Sequence, residues 1–305
     1  MANTKTSVYT TGSLPLLVII IILAISTHGR NALWESGLSL WGDNVAKSPL
    51  KARAQTNLGT YQYKDKNYSE GEKSFLRSIK ADPNYYKAYL TLGLLYKDTN
   101  RLNDAERILA KSLEITETHT AYNILGSTYR KMQNHYKAIE SYTKAIELKS
   151  DYPEAINNLA NVYIVSGEPK KAIETYRKIE ALNPYIDEVY NNLGLAHQMD
   201  NNFYMAEENF KKALSINSAN HRTYANLGTL YFYKDDFSEA IKYYLKAVEV
   251  NESFAEGYHN TGVCFERLGD FENAVNYYQK ALQVDPKRRI TEIFLKKAMK
   301  LKNTK

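Results

Sequence analysis

Residues 223–250 read TYANLGTLYFYKDDFSEAIKYYLKAVEV, a stretch that predicts two short amphipathic helices joined by a tight turn. Leu227 and Tyr231 share one face of the first helix because they are four residues apart. Ala240 and Tyr244 share one face of the second helix for the same reason, and the aspartates between the helices provide capping groups. Neither helix can bury its apolar face alone, so the unit needs neighbours of the same kind.

The same pattern recurs along the chain with a fixed period. One place in the first helix of each unit holds a small residue: Gly59, Gly93, Gly126, Ala160, Gly194, Gly228 and Gly262. The steps between these residues are 34, 33, 34, 34, 34 and 34. Sixteen residues after each of them comes a large one: Phe75, Leu109, Tyr142, Tyr176, Phe210, Tyr244 and Tyr278. A fixed period with a small–large rhythm is typical of a helical solenoid.

These features resemble the tetratricopeptide repeat (TPR) family, with seven units over residues 52–288. The resemblance implies an all-α fold, a right-handed TPR superhelix in which each repeat is a helix–turn–helix. The tryptophan that is usual in the first helix of such repeats is absent, and the residues in its place are Gln55, Tyr89, Tyr122, Ile156, Tyr190, Tyr224 and Tyr258.

The composition is ordinary for a soluble chain of 305 residues, with 44% apolar and 24% charged residues. The net charge of +6 is a mild excess, and no Arg-rich run or nucleic-acid-binding module occurs, so we expect no nucleic-acid partner. The one cysteine, Cys264, cannot form an internal disulfide and is expected to be a small core residue.

The amino-terminal region predicts a membrane anchor. Residues 1–13 are polar, whereas residues 14–25 are continuously apolar and are flanked by uncharged hydroxyl residues. A spanning helix needs about 20 residues, and we therefore expect a transmembrane or signal-anchor segment over residues 14–30. Two alternatives stay open: a cleaved signal peptide, for which residues 24–26 offer a small-x-small cleavage site, and a buried core helix.

Segments on both sides of the repeats are expected to cap them. Residues 31–51 predict a capping half-repeat, since apolar side chains follow one another at spacings of four, three and four residues: Trp34, Leu38, Trp41 and Val45. Residues 289–305 predict a cap helix followed by a basic tail.

The junction between the apolar segment and the repeats carries a second resemblance. It resembles the join between the last membrane helix and the repeats of transmembrane-and-TPR glycosyltransferases of the O-mannosyltransferase type and their bacterial relatives. The residues that carry it are Arg30-Asn31, Trp34, Leu40-Trp41, Lys47-Ser48-Pro49, Ala52-Arg53 and Asn57-Leu58-Gly59. The resemblance implies that this chain keeps the last span and the repeats without the catalytic membrane domain. It also implies repeats on the exported side of the membrane, periplasmic or extracellular.

A search for catalytic and cofactor motifs favours a protein that is not an enzyme. The six histidines form no His-x-x-x-His pair and have no cysteine at metal-ligand spacing. Phosphate-binding glycine loops and the Gly-x-Ser-x-Gly elbow are also absent from the sequence. We therefore expect no catalytic residue, no cofactor and no metal ion.

The inner face of the repeats is the candidate binding site, because in TPR proteins the first helices line a concave groove. Asparagine precedes the Leu-Gly place in five of the seven repeats, as Asn57, Asn158, Asn192, Asn226 and Asn260. The superhelix of the nucleocytoplasmic O-linked GlcNAc transferase is similar, and there an asparagine ladder holds the backbone of an extended peptide. An asparagine amide offers a donor and an acceptor, which match a peptide group. The alternative is that asparagine has no ladder function here.

Further residues are predicted to line the same groove. The additional asparagines are Asn157, Asn161 and Asn191, and a basic entrance is formed by Arg53, Lys87, Arg130 and Lys131. This basic group is expected to favour a ligand with an acidic end.

Together these features predict a membrane-tethered scaffold that binds a protein or an extended peptide through its groove. The alternative is a non-catalytic relative, or a detached TPR part, of a membrane protein O-glycosyltransferase that recognises the acceptor protein. The ligand and the oligomeric state do not follow from the sequence.

Overall fold

The computed structural model describes residues 36–303, and every regular element in that range is an α-helix. The all-α fold class predicted from the sequence is confirmed for this part of the chain. Its helices, numbered here in chain order, are α1 (Gly37–Lys47), α2 (Ala52–Lys64), α3 (Tyr68–Ala81), α4 (Tyr86–Asp98), α5 (Leu102–Ile115), α6 (His119–Lys131), α7 (His135–Leu148), α8 (Pro153–Val165), α9 (Pro169–Leu182), α10 (Asp187–Met199), α11 (Phe203–Ile216), α12 (His221–Tyr233), α13 (Phe237–Val250), α14 (Ala255–Arg267), α15 (Phe271–Val284) and α16 (Arg289–Lys302).

The predicted polar segment 1–13 and membrane segment 14–30 lie outside the described residues, as do residues 31–35. Among the helices of residues 36–303, none combines the length and the apolar character that a membrane span requires. The described helices belong to two compact units, which divide between Asn134 and His135.

Close approach of paired helices explains the recurring glycine in the first helix of each pair. A Cβ atom added to Gly228 would lie 2.8 Å from the ring of Tyr244, and one added to Gly194 would lie 2.5 Å from the ring of Phe210. The large side chain of the second helix therefore lies directly over the backbone of the first. The small–large rhythm of the sequence thus corresponds to a contact within each of these helix pairs.

The turns between paired helices share one unusual backbone conformation. One residue in each turn has a positive φ between 57° and 74°, and the seven residues are Lys66, Asn100, Gln133, Gly167, Asn201, Asp235 and Gly269. Only two of them are glycine, the residue that adopts this conformation without strain. The residue that follows Asp235 caps the next helix, because the Asp236 side chain accepts a hydrogen bond of 3.0 Å from the backbone N–H of Glu239.

A carboxylate links successive repeats in the first unit, a feature that the sequence analysis did not predict. The Tyr96 hydroxyl donates to Glu72 Oε1 at 2.8 Å, and the Arg101 guanidinium donates to both Glu72 oxygens at 2.9 Å. The Arg101 guanidinium also lies over the Tyr96 ring, 4.0 Å from its centroid. One acidic side chain of α3 therefore binds two side chains contributed by the next helix pair.

The two terminal helices of the described range pack on only one side. Helix α1 has no fully buried side chain, and its Gly37 lies against the ring of Tyr61. Helix α16 buries Thr291 and Ala298, and its Phe294 packs edge-to-face on Tyr278. Each of these two helices therefore contacts the helix pair next to it.

Candidate peptide-binding face

The first helices of the second unit carry four of the five asparagines in the predicted ladder. Asn158, Asn192, Asn226 and Asn260 are each the sixth residue of their helices, α8, α10, α12 and α14, and all four are half-buried. Asn57 holds the same place in α2 of the first unit. The equal position in each helix follows directly from the period of the sequence.

Asparagines of neighbouring repeats are hydrogen-bonded to one another in the second unit. Asn191 Oδ1 accepts from Asn226 Nδ2 at 2.8 Å and from Thr223 Oγ1 at 3.1 Å. Asn191 Nδ2 donates to Asn192 Oδ1 at 3.3 Å. These contacts join α10 to α12, so the central part of the ladder also contributes to the packing of the repeats.

The same network reaches the buried core. The Tyr176 hydroxyl donates to Asn161 Oδ1 at 2.6 Å, and the Tyr176 side chain is fully buried. Burial raises the pKa of Tyr176, and a hydrogen bond with Asn192 acts against that rise. Asn161 and Asn192 are thereby held in place by a core residue of α9.

Three predicted groove asparagines make no hydrogen bond through their side chains within residues 36–303. Asn157 and Asn260 in the second unit and Asn57 in the first are half-buried, and each leaves an amide donor and acceptor available. The predicted asparagines therefore differ: some are hydrogen-bonded in the packing of the repeats, and others have amides that make no hydrogen bond within residues 36–303.

An apolar row accompanies the asparagines along the second unit. Val165, Met199 and Tyr233 are exposed by 68%, 45% and 62% of their side-chain surface. Each follows a ladder asparagine by seven residues, which is two turns along the same helix face. These exposed apolar side chains therefore recur at equal places on the first helices of three successive repeats. Arg267 holds this place in the last repeat.

The predicted basic residues lie in the first unit and do not form one group. Arg53 and Lys87 are the second residues of α2 and α4, whereas Arg130 and Lys131 are the last two residues of α6. The second and twelfth residues of a 13-residue helix are roughly 15 Å apart along its axis. All four side chains are exposed, and the Lys131 ammonium donates to the Lys97 carbonyl at 3.0 Å.

The other reactive side chains of the described range are structural. Cys264 is fully buried, as expected for a small core residue, and burial raises the pKa of its thiol to about 12. No group of His, Cys, Asp and Glu side chains within residues 36–303 has the arrangement of a metal site.

Comparison with known families identifies the repeats. Tetratricopeptide repeat models match residues 74–107, 126–167, 153–185, 185–253 and 255–288. The presence of TPR repeats, predicted from the period, is confirmed over these residues.

One similar protein is the protein O-mannosyl-transferase TMTC3 of Mus musculus. It is 27% identical over 199 residues, a match that covers 49% of this chain and 22% of that protein. The chain thus matches about a fifth of the length of this relative.

Solved structures with the same architecture include other TPR proteins. A TPR protein from Parabacteroides merdae superposes with a TM-score of 0.65 at 18% identity, over 81% of this chain and 98% of that one. YrrB, described as a TPR protein with an unusual peptide-binding site, superposes with a TM-score of 0.52 at 17% identity, over 60% of this chain and 94% of that one. At these identities the superpositions show a shared fold.

Proposed function

We propose that this chain, which is a tetratricopeptide repeat protein, is a membrane-tethered scaffold that binds an extended peptide or a partner protein along the first helices of its second unit. The observation that carries the proposal is the pairing of an amide row with an apolar row on these helices. The amides match the peptide groups of an extended ligand. The apolar row, formed by Val165, Met199 and Tyr233, accepts the ligand's apolar side chains and loses exposed surface on binding.

Substitutions in the apolar row test this proposal. The double variant Met199→Glu/Tyr233→Glu should abolish partner capture by the full chain from a detergent extract, because it places two charges where apolar side chains are expected to dock. Tyr204→Glu is the matched control, since Tyr204 is 73% exposed on a second helix, α11. Equal capture by both variants and the wild-type chain would exclude this face.

The available amides provide an independent test of the same face. Asn157→Ala/Asn260→Ala should weaken partner binding by roughly fivefold to over a hundredfold, since each lost hydrogen bond is worth about 0.5–1.5 kcal/mol. These two side chains make no hydrogen bonds within residues 36–303, so the melting temperature should stay close to that of the wild-type chain. A drop in melting temperature with unchanged binding would assign them to packing instead.

Membrane tethering forms a separate part of the proposal, supported by the apolar run of residues 14–25 within the predicted anchor segment 14–30. The full chain should remain in the membrane fraction after a high-salt wash. Ile19→Arg/Ile21→Arg should release it, because a central charge costs about 2.5–3.5 kcal/mol per residue on the insertion scale. Release of the wild-type chain by salt, or a mature amino terminus at Thr27, would contradict an anchor.

We place the repeats on the exported side, and digestion of the repeats by protease added to intact cells would support this.

The similarity to TMTC3 favours a second candidate function, recognition of acceptor protein for a membrane O-glycosyltransferase. In this candidate the chain contributes repeats and no catalytic residue. Co-purification of a polytopic glycosyltransferase with the tagged full chain, lost in Met199→Glu/Tyr233→Glu, would support it. A partner set without any glycosyltransferase, captured through the same face, would favour the general scaffold.

A further inference from the structure

The first unit contains a cavity that the proposed peptide-binding face does not use. Its volume is about 440 Å³, within the range of about 300–1,000 Å³ for ligand pockets. It lies between α1, the link that follows α1, and helices α2 and α3, and its lining residues are Val45, Pro49, Leu50, Gln55, Arg77, Lys80 and Ala81.

The cavity exists because two places are filled by smaller side chains than in the next repeat. There, Tyr89 is buried in a cluster with Ile79 and Ile115 packed against it. The residues 34 positions before Tyr89 and Ile115 are Gln55 and Ala81. An aromatic ring and a branched aliphatic side chain are therefore missing from the first repeat, and the space for a ring stays open.

Gln55 lines this cavity and carries a buried polar atom without a partner. The side chain is only 2% exposed, and its Nε2 donates to the Pro49 carbonyl at 3.0 Å. That bond fixes the orientation of the amide, because only the nitrogen can donate to a carbonyl. Gln55 Oε1 is buried and accepts no hydrogen bond. A buried acceptor without a donor is unfavourable, so an occupant that brings an N–H or O–H group gains a hydrogen bond there.

The rim of the cavity is basic. Arg77 and Lys80 are exposed, and neither makes an ion pair within residues 36–303. Leu50, 83% exposed, offers an uncovered apolar surface at the entrance. An occupant with carboxylates beside its apolar group is therefore complementary to the rim.

We propose that this cavity binds a tryptophan or tyrosine side chain of a partner polypeptide, flanked in that polypeptide by acidic residues. The ring occupies the place that Tyr89 fills in the next repeat, and its indole N–H or phenol O–H donates to Gln55 Oε1. The flanking carboxylates pair with Arg77 and Lys80. A lipid acyl chain would match the apolar wall but has no donor for Gln55, so the observations favour a peptide over a membrane surface.

Binding of a synthetic peptide by the purified full chain tests the proposal. The probe is fluorescein-labelled Asp-Glu-Trp-Glu-Asp-amide, followed by fluorescence anisotropy. Gln55→Tyr fills the cavity with the residue of the next repeat and should weaken binding at least tenfold. Arg77→Ala/Lys80→Ala should weaken it about fivefold or more and reduce its salt dependence. Lys111→Ala is the matched control, since Lys111 holds the place of Arg77 one repeat later, and it should leave binding unchanged.

Peptide variants separate the two parts of the recognition. Replacement of tryptophan by phenylalanine removes the donor and should weaken binding severalfold, and replacement by alanine should weaken it at least tenfold. Ala81→Ile, which narrows the cavity from its other side, gives a second filled variant if Gln55→Tyr does not fold by circular dichroism. Met199→Glu/Tyr233→Glu should bind the probe like the wild-type chain, which distinguishes this site from the proposed face of the second unit.

Three results would overturn the proposal. Equal affinity for the tryptophan and alanine peptides would show that the ring is not recognised and that charge attraction alone holds the peptide. Equal affinity of folded Gln55→Tyr or Ala81→Ile and the wild-type chain would place the binding outside the cavity. Binding to anionic phospholipid vesicles that depends on Gln55 and Arg77, without binding of the peptide, would assign the cavity to lipid instead.

Discussion

At the residue scale, the turn within each helix pair places one residue in the left-handed conformation, and five of these seven residues carry a side chain. For an L-residue with a Cβ atom this conformation costs roughly 1 kcal/mol. Lys66 has a φ of 61°, so Lys66→Gly should raise the free energy of unfolding by up to about 1 kcal/mol, measured by urea unfolding. The converse control is Gly167→Ala at a φ of 73°, where no neighbouring atom lies within 4 Å and only backbone strain should lower stability. Unchanged stability in both variants would show that the turns relax to another conformation.

The asparagine pair at positions 157 and 191 offers a second residue-scale prediction, since the two hold equal places in successive repeats. Asn191 accepts two hydrogen bonds and donates one, whereas Asn157 makes none within residues 36–303. Asn191→Ala should therefore lower the free energy of unfolding by about 1 kcal/mol or more, and Asn157→Ala should have little effect. Urea unfolding followed by circular dichroism measures both, and equal losses would deny the network a role in stability.

The periodic sequence was sufficient to predict which residues share the face of the first helices, because helical periodicity fixes direction. It was not sufficient to predict that Asn191 and Asn226 bond to each other. That contact depends on side-chain rotamers and on Thr223, which supplies a second donor.

At the element scale, Glu207 of α11 accepts three hydrogen bonds, two of which join it to α12 and to the residue that ends α12. It accepts from Lys211 at 2.7 Å, from the Tyr231 hydroxyl at 2.8 Å and from Lys234 at 3.2 Å. Burial acts to raise the pKa of Glu207, but these three donors outweigh it and hold the pKa at about 2. The ionised form of Glu207 is therefore favoured more strongly in the folded chain than in the unfolded chain, where the pKa of a glutamate is about 4.3.

The pH dependence of stability follows from the sign of this shift. The stabilisation by Glu207 is present above about pH 4.3 and is lost as the pH falls toward 2. Glu207→Gln should thus be less stable than the wild-type chain at pH 7, and the difference should shrink as the pH is lowered from about 4 toward 2. Glu208→Gln is the control, because Glu208 is exposed and makes no hydrogen bond or ion pair within residues 36–303. A difference between Glu207→Gln and the wild-type chain that stays constant with pH would refute the assignment.

The aromatic–carboxylate contacts between repeats were not predictable from the period alone. Glu72, Glu106 and Glu207 hold equal places in their repeats, and each accepts a hydrogen bond from a tyrosine hydroxyl of the next repeat. Hydrophobic residues hold that place in the other repeats, for example Ile173. The pairing of helices within repeats followed from periodic apolar residues, whereas these polar contacts depend on which side chain each repeat carries.

At the scale of the whole molecule, stability within each unit should be distributed repeat by repeat, because neighbouring helix pairs of a unit pack on one another. Tyr244→Ala should cost about 3–5 kcal/mol, the range for removal of a large buried aromatic side chain. Hydrogen exchange should rise most in α12, α13 and α14 and less in α8 and α9 of the same unit. Exposed Lys242→Ala should change neither quantity. A uniform rise throughout α8 to α16 would indicate one cooperative core instead.

The repeats were the easiest part of the molecule to predict, because a small residue recurs with nearly constant spacing from Gly59 to Gly262. The cavity beside Gln55 was not predicted, although the missing aromatic residue at that place was visible in the sequence. A void depends on how α1 and Ala81 pack around the site, and the period does not determine that packing.

Site-specific photo-crosslinking tests the central claim most directly, that the first helices of the second unit bind a partner polypeptide. The full chain carries p-benzoylphenylalanine at position 233 in one variant and at position 204 in the other, both sites of exposed tyrosines. If these helices bind the partner, irradiation of intact cells should link a defined partner polypeptide at position 233 and none at position 204. Crosslinks at position 204 alone, or the same products at both positions, would contradict it.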